Sequence, residues 1–512
     1  MSFAYWRKCD FQVHTPRDRN WRGPGPVGFG DDKNGVVATV ADVDAERSEW
    51  AKNFLEQCIK RGLEAVAVTD HHEMVMVPYI QEAIATRRKG EPTFDFWLFP
   101  GMELTCQGGV QCLIIFDAKL SEEWLREAQA QLGIVVANLD VKAGKAPRVT
   151  QLNFHYPDIA EKLDAVAELK GRYIILPNVS QGGQHTVLKN GAHADFKRMP
   201  YVGGYLDNGQ TVDTINNGNR RRLSGLDENW GSRFIYPLPT SDARSADFAQ
   251  LGENRCWVKL STPTAEAIRQ AFLGYQSRIA IECPSTATLW IKSVTIGGSV
   301  TLADREFSIS PELNAFIGGR GSGKSTVLEY TAFGLGRSCH DIEKPDYSGS
   351  GRLVSVLKDT LIAAGAHIEL AVVQDGATFK ILRSGATSYS PKITYPDGTS
   401  QELSLKELRS LFPAVVYSQG ELSEIGKQAG KSAELSDLLQ FVDPTFKQED
   451  ERLNAEIDNG KLAVRKAAQA LSTAWLTEAQ LNKLQTNRAS LEQRIAALQK
   501  HYQNFLKTTE LR

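Results

Sequence analysis

The chain has 512 residues, with 59 Lys plus Arg against 61 Asp plus Glu and a formal net charge of −2. That length exceeds one ordinary core and points to about three domains, while the near-neutral balance leaves a local basic groove for nucleic acid open. Its 7 cysteines are scattered without a C-x-x-C pair, which argues against a disulfide framework and for reduced thiols. No apolar run approaches membrane-spanning length, so a cytoplasmic protein without a membrane partner is expected.

From about residue 8 to 260, short β-rich runs alternate with helical patterns: 11–14, the helix-like 45–60, 65–69, 113–116, 173–176 and 235–238. The alternation predicts an α/β domain with many parallel strands, barrel-like in arrangement. Polar groups cluster just after several of these runs, as around the carboxyl ends of barrel strands. Residues 62–72, Gly-Leu-Glu-Ala-Val-Ala-Val-Thr-Asp-His-His, form an apolar strand that delivers Asp70, His71 and His72 to its end. His14 follows Phe11-Gln-Val, Glu103 follows Phe99-Pro-Gly-Met, His155 follows Asn153-Phe, and Asp242 and Arg244 follow Pro239-Thr-Ser. Imidazoles and carboxylates converging from separate strand ends would bind two or three divalent ions that activate water and clamp a phosphate ester. Any one histidine alone reads equally as an ordinary hydrogen-bonded residue. The run Arg220-Arg221-Arg222 is open to two readings, a phosphate contact or a solvated surface loop.

The texture changes near residue 285. Residues 290–296 and 306–309 read as hairpin-like strands, and 313–317, Leu-Asn-Ala-Phe-Ile, as a buried strand. It leads into 318–325, Gly-Gly-Arg-Gly-Ser-Gly-Lys-Ser, which matches the phosphate-binding pattern G-x-x-x-x-G-K-[ST], and a helix is predicted over 326–333. Gly318, Gly321 and Gly323 let the backbone curl around phosphate oxygens, with Ser322 inside the loop and Thr326 just after it. Lys324 would reach the β and γ phosphates of ATP, and the Ser325 hydroxyl would ligate Mg²⁺. Residues 367–400 read as a strand-rich insertion with a turn at Pro396-Asp397-Gly398. After Asp443-Pro444 the chain becomes helical, with Leu453, Ile457, Val464, Leu471, Leu484, Leu491, Ile495 and Leu498 near heptad spacing. This predicts a coiled coil, the alternative being an amphipathic helix packed on a globular core.

Taken together, the strand-end segments of residues 8–245 resemble the PHP family of metal-dependent phosphoesterases. The family's motifs are His-x-His, a strand ending Thr-Asp-His, a bridging Glu and a late Ser-Asp-Ala-His. By that resemblance the fold is a distorted seven-stranded α/β barrel and His14, His71, Glu103 and Asp242 are metal ligands for Mn, Zn or Fe. The candidate catalytic residues are Asp70, His71 and Arg244. The chain departs from the pattern at Gln12, Asn178 and Arg244, which stand where the family has or often has histidine, and the region 108–111, Gly-Gly-Val-Gln, lacks the histidine expected after Glu103. His155, His185 or Asp18 would be needed to compensate, and Arg244 would instead bind a substrate phosphate.

Residues 291–326 resemble the amino-terminal half of the ABC-type head of SMC-like ATPases, and Gln419 resembles its Q-loop glutamine. The ABC signature and a strand ending Asp-Glu do not appear after residue 326, so the chain is expected to be a fragment, an ordered part of a longer product, or half of a split protein. The whole order resembles TrlF-like PHP–ATPase fusions. It implies a PHP domain over 1–284, an ATPase-head lobe over 285–443 and a coiled-coil arm over 444–512. It also implies a nuclease or phosphoesterase of antiphage defence, with nucleic acid, DNA favoured, as partner and a homo-oligomer as the working form. The rival is a PHP domain that senses nucleic acid or nucleotide without cutting, with the ATPase as its conformational switch.

Overall fold

The computed structural model describes residues 3–509 apart from 19, 24–39, 135–150, 208, 255, 286, 342–349, 415 and 417–445. The chain divides into two compact units, residues 1–290 with 308–314, and residues 291–307 with 315–512.

In the first unit, β1 (Tyr5–Val13) is buried from Cys9 onward, so its apolar run fits a central strand covered on both faces. Helix α1 (Val40–Lys60) leads to β2 (Ala65–Val68), and α2 (Val77–Gly90) to β3 (Trp97–Thr105); these crossovers make β1, β2 and β3 parallel. From β3 the chain turns through residues 106–110 straight into β4 (Gln111–Phe116), then later enters β5 (Tyr173–Pro177), and both pairings are antiparallel. So short a link cannot carry a parallel crossover, and the parallel strands expected from the alternation are confined to β1, β2 and β3 in this part of the sheet. A pair, β6 (Gly203–Leu206) and β7 (Tyr236–Pro239), is parallel; β8 (Cys256–Leu260) and β9 (Ile279–Ala280) extend the sheet beyond β1. The order β5-β4-β3-β2-β1-β8-β9 curls, and bridges at Asn178–Tyr205 and Val13–Ala243 tie the β6–β7 pair to both β5 and β1.

Side chains alternate between two cores along β2. Val66 and Val68 pack with Trp50 and Phe54 of α1 and Ile80 and Ile84 of α2, while Ala65 and Ala67 face a second core with Phe11, Phe99, Tyr205 and Phe272. The i, i+4 spacing of Trp50 with Phe54, and of Ile80 with Ile84, makes the inner stripe of each helix.

The second unit carries a six-stranded sheet of β10 (Leu289–Gly297), β11 (Arg305–Ser308), β12 (His367–Gln374), β13 (Ala377–Ser384), β14 (Lys392–Thr394) and β15 (Ser400–Glu402), in the order β11-β10-β12-β13-β14-β15. The β12–β13 hairpin turns at Asp375 and Gly376, whose φ angles of 50° and 82° suit a tight two-residue turn. Residues 313–317 form no strand, and Leu313 and Ile317 are 95% and 94% exposed. The reason is local: the Asn314 side chain accepts from Ser310 N at 2.8 Å and donates to the carbonyls of Ser310 and Glu312 at 2.8 and 2.7 Å, which favours a loop over a ladder. A single helix runs over Phe446–Thr509, and residues 455–500 are all exposed, so the alternative of a helix laid on the chain's own core does not hold there. No helix among the described residues is long and apolar enough to cross a membrane.

Gly101 sits where β3 comes closest to its neighbours, and a Cβ there would lie 2.6 Å from the Ile114 carbonyl oxygen and 3.0 Å from Thr69 Cγ2. Gly101→Ala should therefore push β3 off β4 and lower stability by about 1–3 kcal/mol, read as an earlier midpoint in urea unfolding. An unchanged midpoint would mean that the strands yield without strain.

Candidate metal centre

Because β1, β2 and β3 run parallel, their carboxyl ends lie together. His14 follows β1, Asp70 and His71 follow β2, Glu103 lies near the end of β3, and Asp242 and Arg244 follow β7. Backbone pairing fixes their register: His71 bridges Glu103, and His14 N donates to the Ala243 carbonyl at 2.8 Å. His72 and Asp242 adopt left-handed φ angles of 56° and 52°, a strained backbone for residues with a Cβ, beside the converging side chains.

The imidazoles of His14 and His71 stack with centroids 5.7 Å apart and planes 19° apart. Both turn Nδ1 toward Asp18 Oδ2, at 3.1 and 2.6 Å. On the opposite edge, His14 Nε2 lies 3.1 Å from Asp242 Oδ1 and 3.7 Å from Glu103 Oε2, and His71 Nε2 lies 3.1 Å from Glu103 Oε2 and 3.2 Å from Gln111 Nε2. Glu103 Oε1 accepts from the Tyr205 hydroxyl at 3.0 Å and from Gln12 at 3.4 Å, whereas its buried Oε2 has no aligned hydrogen bond. Buried His14 Nδ1 has none either. Donors that share one ion at metal–ligand distances of 2.0–2.2 Å stand roughly 3 Å apart. Two ligand sets bring their donor atoms within 4.8 Å of one another, His14–Asp18–His71 and His14–Glu103–Asp242, and their nitrogen and oxygen atoms suit a divalent transition ion.

Without an ion, the cluster holds charge in other forms. Burial pulls the His14 imidazole down, but the nearby Asp18 charge and the hydrogen bond to Asp242 overcome it and push its pKa up to about 10. Burial raises the Asp242 carboxyl, and His14 and Arg244 outweigh it and hold the group below its ordinary value. Burial first, then the Asp18 charge, pushes Asp70 up to about 8.

Asp70 accepts from Thr15 N at 2.7 Å and from the Thr15 hydroxyl at 2.6 Å, which fixes the turn after His14, and its Oδ1 lies 3.8 Å from His14 Nδ1. Asp18 joins the ligand cluster; the clue in the sequence is its place four residues after His14, in a turn closed by Asp18 N donating to the Thr15 carbonyl at 2.8 Å. Tyr205 left no clue, since nothing in its own segment links it to Glu103. The other compensating candidates lie apart: His155 pairs with Asp195 at 2.7 Å, and His185 Nδ1 meets the Gly109 carbonyl at 2.8 Å. Gln12 accepts from Thr240 at 2.6 Å, and Asn178 donates to Asp207 at 2.7 Å. Arg244 turns inward, its Nη2 contacting Asp242 Oδ1 and lying 3.2 Å from His14 Nε2.

The arginine run forms part of a short helix, Asn217–Leu223. Arg220 donates to the carbonyls of Ile215, Val212 and Asp213, Arg221 to that of Leu226, and Arg222 to that of Leu188 while lying over the Trp230 ring. These contacts favour a structural use over phosphate binding.

In the second unit, residues 318–323 form a glycine loop at the start of the helix Lys324–Gly334, with Gly321 and Gly323 at φ 81° and 84°. Lys324 Nζ curls back to donate to the carbonyls of Gly318 and Gly319, both at 2.7 Å, with Ser322 Oγ at 3.3 Å. Ser325 is exposed and Thr326 half-buried at the helix start; Gln419 lies outside the described residues.

No family model and no curated protein matches the chain. Among solved structures, the lesion-specific endonuclease EndoQ from Pyrococcus furiosus is similar at 17% identity and a TM-score of 0.34, over 57% of this chain and 62% of that one. A candidate metal-dependent phosphoesterase from Bifidobacterium adolescentis is similar at 16% identity and a TM-score of 0.25, over 46% of this chain and 86% of that one. The chain thus spans less than two thirds of the endonuclease's length.

A metal ligand must be a neutral imidazole, and ion-free His14 keeps its extra proton up to about pH 10. Loading Mn²⁺ near neutral pH should therefore release a proton, and affinity should rise from about pH 6 to pH 8. Titration calorimetry in buffers of different ionisation enthalpy reads the proton count, and a count of zero would remove His14 from the ligand set. Replacing Arg220, Arg221 and Arg222 by Ser should lower thermal stability while leaving the salt dependence of DNA binding unchanged; a flatter salt slope would restore the phosphate-contact reading.

Proposed function

We propose that the first unit is a metal-dependent phosphoesterase acting on nucleic acid, DNA in preference, in the manner of the PHP family. The observation that carries this reading is the buried pair of His14 and His71 gathered around Asp18, with Glu103 Oε2 left without an aligned partner beside them. His14, His71, Glu103 and Asp242, joined by Asp18, would hold divalent Mn, Zn or Fe. Such an ion supplies a water acidic enough to attack at neutral pH and a clamp for a phosphoryl oxygen. Tyr205 and Gln12 hold the Glu103 carboxylate in place, and Asp70 does the same for the turn that carries His14. Arg244 Nε is buried without a hydrogen-bond partner and is a donor for a phosphate oxygen. Asp242, at 17% exposure, is the member of the cluster nearest solvent and marks the approach. A cleft of about 520 Å³ lined by Arg22, Gly23, Ser245, Ala246, Asp247, Ala249 and Gln250 adjoins the Arg244 backbone through the Arg22 N to Arg244 carbonyl bond.

The second unit, in this reading, is the amino-terminal lobe of an SMC-like ATPase head that binds ATP with Mg²⁺ through residues 318–326 and gates the nuclease. A self-associating assembly in antiphage defence is the setting that the resemblance implies. Lys324 already lies within its loop, on two carbonyls that a bound phosphate would replace.

The rival, a binder that does not cut, draws on Arg244 standing inside the cluster, on Gln12 supplying an amide to Glu103 instead of an imidazole, and on Asn178 being engaged with Asp207. An Mn²⁺-dependent cleavage assay on single- and double-stranded DNA separates the two. His71→Ala should reduce cleavage at least about 10–100-fold with DNA still bound, and Lys324→Ala should keep basal cleavage while removing any response to ATP. DNA bound equally by all variants with no cleavage in any metal would establish the binder instead.

A further inference from the structure

The two ligand sets are not equally available, because one already contains a cation. Arg244 Nη2 contacts Asp242 Oδ1 and lies 3.2 Å from His14 Nε2 and 3.8 Å from Glu103 Oε2, within reach of every donor in the His14–Glu103–Asp242 set. Its side chain is 9% exposed, so the guanidinium is seated there rather than passing by. The other set, His14 Nδ1, Asp18 Oδ2 and His71 Nδ1, lies on the far edge of both imidazoles; the guanidinium comes near it only through Nη1, 3.6 Å from Asp18 Oδ1.

We infer that Arg244 is a tethered cation filling one of two metal seats, so that this centre takes a single divalent ion, held by His14, Asp18 and His71. The inference rests on the metal-hydrolase reading above and narrows it. A guanidinium is always charged, donates in fixed directions and cannot be removed by a chelator. A divalent ion entering the same seat would have to expel it from Asp242 and stand beside it, like charge against like charge. The carboxylates of Glu103 and Asp242 thus remain compensated without a second ion, and His14 keeps Nδ1 for the one that binds. Asp18 becomes a ligand rather than a neighbour.

The test counts ions instead of turnover. The full chain is stripped with chelator, reloaded with Mn²⁺ without nucleotide, freed of excess by gel filtration, and assayed by elemental analysis and electron paramagnetic resonance. Omitting nucleotide keeps the P-loop out of the count, since an ion there depends on phosphate ligands. The wild type should retain one Mn²⁺ with an uncoupled spectrum. Asp18→Asn should lose it, Arg244→Lys should keep one, and Arg244→His should gain a second with the signature of exchange coupling. Two coupled ions in the wild type would overturn the role of Arg244 while leaving the metal-hydrolase reading intact, and so would a single ion in Arg244→His that folds as judged by circular dichroism. No ion in any variant would overturn both. Because the wild-type count decides by itself, a variant that fails to fold does not shelter the inference.

Discussion

Four carboxylates, Asp18, Asp70, Glu103 and Asp242, lie at one end of the first unit's curled sheet with side chains between 0% and 17% exposed. Burying even one such charge without compensation costs several kcal/mol, and every nearby feature answers that cost. Thr15 caps both oxygens of Asp70, two imidazoles and the Asn20 amide surround Asp18, and Arg244 with His14 holds Asp242. Glu103 is satisfied on one oxygen only. The demand reaches into the fold. Glu103 can stand opposite His71 only if β3 lies against both β2 and β4, which is why the chain two residues earlier has no side chain, and Asp242 reaches His14 from a backbone conformation that few residues with a Cβ adopt.

How much of this could be read from the sequence depended on whether the signal was local. Residues 65–72 announced a buried strand ending in Asp70, His71 and His72, because an apolar run that stops abruptly at ionisable residues marks where a strand leaves the core for a polar site. His14, Glu103 and Asp242 could be gathered only by analogy, yet they do converge. The contacts of each were not legible, since they are set by side-chain direction: the sequence places Asp70 at a strand end, and only the structure shows both of its oxygens accepting from Thr15. Tyr205 illustrates the converse, with a partner 102 residues away that no spacing rule connects.

The second unit shows the same limit at shorter range. The glycine pattern at 318–325 does produce a tight loop opening a helix, because Gly321 and Gly323 supply left-handed backbone that other residues resist. The apolar residues 313–317 before it looked like a strand, but one asparagine with three hydrogen bonds to its own neighbourhood was enough to redirect them. Apolar content alone does not make a strand when a side chain offers the backbone a nearer partner. Likewise, the arginines of 220–222 read as surface charge until their guanidinium groups are seen capping carbonyls of the chain's own loops. On the long helix the opposite holds: apolar residues near heptad spacing, such as Leu484 and Leu498, are 65% and 68% exposed, so their pattern does not bury them against the described residues.

A guanidinium among metal ligands changes the chemistry as well as the count. It neutralises carboxylates and can orient a phosphoryl oxygen, but it cannot take water as a ligand or make that water acidic. In the proposed function, nucleophile generation would be confined to the Nδ1 edge of the imidazoles, where Asp18 sits, and charge stabilisation to the Nε2 edge, where Arg244 sits. The two edges of one stacked pair of rings would then separate tasks that two like ions would share. The departure from the resembled His-rich pattern at Arg244 would then have a physical meaning of its own: the residue that offers no metal ligand brings a positive charge to Asp18, Glu103 and Asp242.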